Sequence, residues 1–296
     1  MQTNKQLTKA YRNAKVKYFD KNSKFIIFSD THRGDDSISD EFARNQSIMV
    51  AALKHYYKEG YTYIEAGDGD ELWEHPRFPT IRAAHTDVFT ELKKFYQKKR
   101  MIMLYGNHNI FLRNPYYVAK YYFYFYDEYL GSRRELFPNL HPIEALLLRE
   151  KYTKHKILIV HGHQGDLMND QLWFINMIFL RYFWRFMHIV GFKNPSSPAK
   201  NIYRRHKIEK NYTDWIRKKK VMLVCGHTHR LKFPKPGEVL YFNSGCCIHT
   251  KGITGIEIVN NEIMIVQWRM EADEEGIFRA VRRIIRGPKP IKDFYH

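Results

Sequence analysis

The sequence predicts an α/β fold built on a mostly parallel sheet. Three observations carry this. Short apolar runs alternate with helical patterns between residues 24 and 225. Five of those runs end in polar clusters rich in Asp, His and Asn. Near the C-terminus the alternation gives way to closely spaced strands.

The elements follow in order. The run at 24–29 is apolar and rich in Ile and Phe, as a buried strand requires. Between 40 and 58, Phe42, Ile48, Met49, Ala52, Leu53 and Tyr56 recur at helical spacing. Residues 62–66 form a second strand, and Val88, Leu92, Phe95 and Tyr96 mark a helix over 86–99. Further strands are expected at 100–105, 156–160 and 220–225. Strands at 239–243, 254–259 and 262–268 come next, with Asn260-Asn261 as the tight turn of a hairpin. The charged tail from 271 reads as an exposed extension. No internal repeat or low-complexity linker divides the chain.

Composition narrows the function classes. Hydrophobic residues make up 44% and aromatics 16%, which excludes an intrinsically disordered chain. The net charge is +18, from 49 Lys and Arg against 31 Asp and Glu. A surface of that sign concentrates anions: nucleic acid, anionic lipid headgroups or phosphorylated metabolites. Cys225, Cys246 and Cys247 do not make a disulfide framework. The N-terminal segment has charge but no apolar stretch of the kind a signal peptide needs, so a cytoplasmic location is expected.

The chemistry lies in the clusters that follow the strands. They are Asp30-Thr31-His32, Gly67-Asp68-Gly69-Asp70-Glu71, Gly106-Asn107-His108, His161-Gly162-His163 and Gly226-His227-Thr228-His229. In open α/β sheets, ligands bind beyond the carboxyl ends of the strands, so these clusters are expected around one crevice. Asp30 and His32, two apart on an extended strand, would project to the same side, as would His227 and His229. Asp oxygens with His nitrogens suit Zn, Mn or Fe better than Ca or Mg. A shell without Cys is unlike a structural zinc site. Taken singly, an Asp-x-His pair is an ordinary surface feature and a Gly-Asn-His an ordinary turn. All five in this order, each behind an apolar strand, point to a metal centre.

That ordered set resembles the calcineurin-like metallophosphoesterase superfamily. The resemblance spans residues 30–229 and implies a four-layer αββα sandwich with two mixed β-sheets. Because matching residues come from both ends of that span, it implies one domain over 1–270. This domain would carry a helical aromatic and basic insert at about 165–218, with 271–296 as the extension. It also implies two divalent metal ions, manganese first and iron or zinc otherwise. Asp30, His32, Asp68 and His229 would hold one, and Asp68, Asn107, His161 and His227 the other. His108 matches the histidine that binds the phosphate and protonates the leaving group. In the two-metal chemistry so implied, a hydroxide held between the cations attacks phosphorus in line.

The chain departs from the family pattern in places. Glu71 stands where an Asp is common. Asn109 replaces the Asp that orients the catalytic histidine, which predicts a weaker His108, since an amide orients but supplies no charge. His161 matches the fourth motif better than His163, which is left to support a ligand from behind or to touch the substrate. Asp70 competes with Asp68 for the bridging position, and Asp68 is preferred because it lies nearer the strand end. Arg33 is a candidate contact for a substrate phosphate.

The substrate is less legible. Residues 172–192 are aromatic and long enough to raise a membrane span, but Arg181 and Arg185 in the middle argue against one. On a helix the two arginines share a face, which suits an acyl-chain groove or peripheral contact with the inner face of a membrane, or else core packing or a dimer contact. Gly-Asp-x-x-acid-Leu-Trp together with this insert is similar to the UDP-2,3-diacylglucosamine pyrophosphohydrolase-like branch. It implies a phosphorylated small molecule or lipid-linked nucleotide as substrate. The tyrosine-rich stretch 116–130 reads as a packed helix, with base stacking as the alternative. A nuclease or cyclic-nucleotide phosphodiesterase is the second enzymatic reading, and a non-catalytic metal-bound binding module is the reading from another class.

Overall fold

The structure, a computed structural model, describes residues 2–165, 177–178, 202–235 and 237–295. Most of the segment 172–192, with Arg181 and Arg185, lies outside them. Elements are numbered here in chain order over the described residues.

Two mixed sheets dominate. The first has the order β1 (Lys15–Phe19), β7 (Ala145–Glu150), β8 (Lys156–Val160), β9 (Met222–Cys225), β10 (Tyr241–Asn243). The second has the order β13 (Phe278–Pro290), β12 (Glu262–Ala272), β11 (Ile253–Val259), β2 (Phe25–Phe28), β3 (Thr62–Ala66), β4 (Met101–Leu104). Within the second, β2, β3 and β4 run parallel while β11, β12 and β13 are antiparallel. In the first, β7 and β8 are antiparallel and β8, β9 and β10 parallel.

Burial explains why the strand runs are apolar without alternation. Side chains of a strand point to opposite faces in turn, and here both faces are covered. Phe25 and Ile27 pack between the sheets with Leu146, Leu148, Ile159 and Val224. Ile26 and Phe28 point the other way, toward residues of α2 (Gln46–Lys58) and α4 (Thr86–Gln97). On the outer face of the first sheet, Ala145, Leu147 and Leu158 meet Leu7 and Ala10 of α1 (Gln2–Arg12) and Trp215 of α6 (Ile202–Lys219). The result is four layers, helices outside and two sheets within.

Asn260 and Asn261 both adopt left-handed backbone, φ 54° and 57°, and close the β11–β12 hairpin as expected. Other expectations need correction. The charged tail from 271 is not an exposed extension. Residues 278–290 form β13, paired with β12 along its length, and Ile291 and Phe294 are buried between the sheets. Its arginines misled because β13 is an edge strand. Arg282 turns inward to donate to both oxygens of buried Glu257. The tyrosine-rich stretch is not one helix either. α5 (Pro115–Tyr122) ends after two turns, and Tyr124–Asp127 (β5) pairs with Ser132–Glu135 (β6) in a separate hairpin whose Tyr126 and Tyr129 are exposed. Among the described residues, no helix is long and apolar enough to cross a membrane.

Candidate metal centre

The polar clusters lie just beyond the C-terminal ends of β2, β3, β4, β8 and β9, where the open ends of the two sheets meet. Cross-sheet contacts join them. The backbone N–H of His227 donates to both Asp30 oxygens, at 3.1 and 3.0 Å. The N–H of His108 donates to Asp68 Oδ1 at 2.8 Å. His161 Nε2 lies 2.9 Å from Asp68 Oδ2 and 3.2 Å from Asn107 Oδ1. His229 Nε2 lies 3.0 Å from Asp30 Oδ1.

The convergence does not come from extended backbone, as strand alternation would have it. Asp30, His32, Asp68, His227 and His229 all have positive φ, between 48° and 66°. The chain leaving β2, β3 and β9 turns through the left-handed region and so aims these side chains into the crevice. Such conformations cost about 1–3 kcal/mol each and persist where the surroundings hold them.

Among the described residues, three groups of side chains bring donor atoms within 4.8 Å of one another: Asp30, His32 and His229; Asp68, His161 and His227; and His32, Glu71 and His108, whose two imidazoles bond Glu71 through Nδ1. Each of the first two could hold a metal ion. The protonation pattern tests the fit. His161 Nδ1 is 3.1 Å from the carbonyl oxygen of Ala66, so Nδ1–H donates there and Nε2 presents its lone pair to the Asp68 carboxylate. Two acceptors at that distance require a proton or a cation between them. His32 makes the same point. Its Nδ1 is 2.7 Å from Glu71 Oε2, which fixes the proton on Nδ1. Its buried Nε2 has no hydrogen-bond partner and lies 3.8 Å from Asp30 Oδ1 and 3.9 Å from Asp68 Oδ2.

The electrostatics agree. Burial would raise the pKa of Asp68, but His161, His108 and His32 beside it hold the carboxyl well below its ordinary range. Burial would likewise raise Glu71, and His108 and His32 hold it low. Burial would lower His229, yet Asp30 pushes it up to about 10. Buried carboxylates held ionised by neighbouring positive charge could hold a cation.

The remaining candidate residues have other surroundings. Asp70 does not face the crevice: Oδ1 accepts from Arg33 and Oδ2 from Tyr122. Arg33, expected on a substrate phosphate, is fully buried and paired with Glu65 and Asp70, so it is closed to substrate. Asn109 does not reach His108. Its Oδ1 accepts from the N–H of Gly106 and pins the turn. The carboxylate that touches His108 is Glu71, whose Oε1 lies 2.8 Å and Oε2 2.7 Å from Nδ1. The negative charge lost at Asn109 is therefore supplied from another loop. His163 is buried beside His161, with ring centroids 5.6 Å apart.

Three supporting contacts are not foreseen from the sequence, although Trp73 falls in the second motif and Cys247 lies just beyond a strand end. Ser29 Oγ donates to Asp30 Oδ2 and meets Ser244 Oγ at 2.7 Å. The Trp73 ring stacks on His108 with centroids 4.2 Å apart. Cys247 N–H donates to the Asp30 carbonyl at 3.1 Å. A serine ending an apolar strand was the one available signal; the others depend on packing.

The family model for the calcineurin-like phosphoesterase superfamily domain matches residues 24–259. No curated protein matches. Solved structures are similar at low identity, among them three of different kinds. One is the cold-active protein-tyrosine phosphatase of a psychrophile, Shewanella sp., at 12% identity over 89% of this chain and 81% of that one, TM-score 0.37. Another is Vps29 of Chaetomium thermophilum, at 8% identity over 90% and 98%, TM-score 0.37. The third is GAP50, the anchor in the inner membrane complex of Plasmodium, at 11% identity over 90% of each chain, TM-score 0.43. At such identities these likenesses say nothing about chemistry.

Proposed function

The chain belongs to the calcineurin-like phosphoesterase superfamily, and on that premise we propose that it hydrolyses a phosphate ester or anhydride with two divalent cations. The single observation that carries the reading is His32 Nε2, buried, unpartnered and set between the carboxylates of Asp30 and Asp68. An imidazole lone pair left so in a core is costly unless a cation takes it.

Asp30, His32 and His229 would hold one ion, and Asn107, His161 and His227 the other, with Asp68 shared. Such ions, when bound, neutralise charge on phosphoryl oxygens and make water nucleophilic near neutral pH. The chain's own groups do the rest. Asp30 and Asp68 are held in place by backbone N–H groups, so the donor set is preorganised. His108 keeps its Nδ1 proton on Glu71, which leaves Nε2 to meet the phosphate or the leaving oxygen. Trp73 covers one face of that imidazole and keeps water from it.

Manganese is the first choice of metal. For substrate, the +18 charge favours an anionic molecule, and the motif resemblance favours a lipid-linked nucleotide cleaved at the inner face of a membrane. Nucleic acid is the second choice, on the charge alone.

Hydrolysis of bis-p-nitrophenyl phosphate with added Mn tests the activity. Asp68→Ala should abolish it, and unchanged turnover would sink the assignment. Mass-spectrometric product analysis with UDP-diacylglucosamine tests the substrate; intact substrate after incubation with active enzyme rejects it.

A further inference from the structure

Beneath the metal centre a second set of charges lies wholly out of solvent. Arg33, Glu65 and Asp70 are each 0% exposed. Nη1 and Nη2 of Arg33 donate to the two oxygens of Glu65 at 3.0 and 2.7 Å, and Nε donates to Asp70 Oδ1 at 2.8 Å. The Tyr122 hydroxyl donates to the other Asp70 oxygen at 2.7 Å. Burying such ions is a poor way to gain stability, because well-packed apolar groups of similar volume often do as well or better. Their geometry is what an apolar substitute would lack.

Arg33 directly follows His32, and Asp70 sits between Asp68 and Glu71. The backbones of the two loops are laced together around the ions. His32 N–H donates to Asp68 O at 2.9 Å, Arg33 N–H to Gly69 O at 2.9 Å, and Glu71 N–H to Arg33 O at 3.0 Å. The ions also press on the chain that carries Asp68. A Cβ at Gly69 would lie 1.5 Å from Glu65 Oε1 and 2.6 Å from Arg33 Nη2. Only glycine allows that approach.

We propose that Arg33 is a positioning residue: with Glu65 and Asp70 it sets the separation of the loops at 30–33 and 67–71, and through it the cation affinity of the centre. A rigid fork donating three hydrogen bonds to two carboxylates fixes distance and angle together, which a methylene chain cannot do. The inference rests on reading the centre as a cation site.

The test is calorimetric titration of the purified full chain with Mn, alongside bis-p-nitrophenyl phosphate turnover and thermal melts. Asp70→Asn, folded by circular dichroism, should bind Mn about tenfold or more weakly, as loss of a ligand-orienting partner does. Arg33→Lys, which keeps the charge without the fork, should not restore wild-type affinity. Tyr122→Phe, which removes a single hydrogen bond, should weaken binding by a smaller factor. Glu257→Gln, which weakens the remote pair of buried Glu257 with Arg282, should lower the melting temperature and leave Mn affinity alone.

Wild-type affinity in both Asp70→Asn and Arg33→Lys would overturn the positioning role. So would a loss in Glu257→Gln equal to that in Asp70→Asn. Should Asp70→Asn not fold, Tyr122→Phe decides, and unchanged Mn affinity there overturns it. Wild-type protein that takes up no cation would bring down the metal reading and this inference together, which separates the two failures.

Discussion

The carboxylate of Glu71 lies 2.7 Å from Nδ1 of His108. The same oxygen stands 2.7 Å from Nδ1 of His32, so one side chain orients a candidate metal ligand and the candidate proton donor together. Glu71→Gln keeps the size and removes the charge. Its turnover should fall about tenfold to a hundredfold, by the usual cost of losing such a partner. Asn109→Ala should cost less, since Asn109 touches the Gly106 N–H and not His108. Steady-state rates of the two variants decide, and a larger loss for Asn109→Ala would return the orienting role to the third motif.

Gly106 has no side chain because Asp68 occupies the space. A Cβ there would lie 2.2 Å from Asp68 Oδ1 and 2.8 Å from its Cγ. Gly106→Ala should displace that carboxylate and cut turnover by about a hundredfold, the scale of a misplacement of about 1 Å. Mn titration should show weakened uptake, while circular dichroism stays that of the wild type.

Acid stability should report on Asp40. Burial would raise its pKa, but the bond to His85 Nε2 at 2.8 Å and the N–H groups of Asp36 and Phe42 hold it below the ordinary value. A carboxylate with a depressed native pKa stabilises the fold above its unfolded pKa, and that contribution fades as pH falls through the native one. Asp40→Asn should therefore be less stable than wild type by about 1.5–3 kcal/mol near neutrality. The gap should close as pH drops below about 4, the unfolded carboxylate value. Urea melts across pH would show it, and a gap that widened in acid would contradict the sign.

The C-terminal segment should be indispensable. Glu257 is fully buried and takes Arg282 Nε at 2.7 Å. Arg282→Met leaves that buried carboxylate to the Tyr56 hydroxyl and should cost about 1–3 kcal/mol, the usual penalty when a buried acceptor loses a partner. A chain ending at 270 loses β13 and the buried Ile291 and Phe294 as well, and should not fold. A soluble, cooperatively melting truncation would show the tail to be dispensable after all.

Local patterns carried far. The strands at 25–28, 62–66, 101–104, 156–160 and 222–225 are legible because a strand buried on both faces is apolar throughout. β1 and β13 were missed because edge strands expose half their residues, and Lys15, Lys17, Arg279 and Arg283 look like surface charge. β7 was overlooked for want of a polar cluster behind it.

The chain by itself determined which residue types stand at the ends of which strands, since that is written in a few consecutive positions. Tertiary structure alone decided which of several equivalent groups faces the crevice. Asp68 turns in while Asp70 turns down to Arg33, and Glu71 takes the role denied to Asn109. Those choices depend on left-handed backbone at the strand ends and on contacts between segments distant in sequence, such as the one between Glu71 and His32. The physical reason is that a side chain's partner is set by where packing carries its backbone, and no local spacing records that.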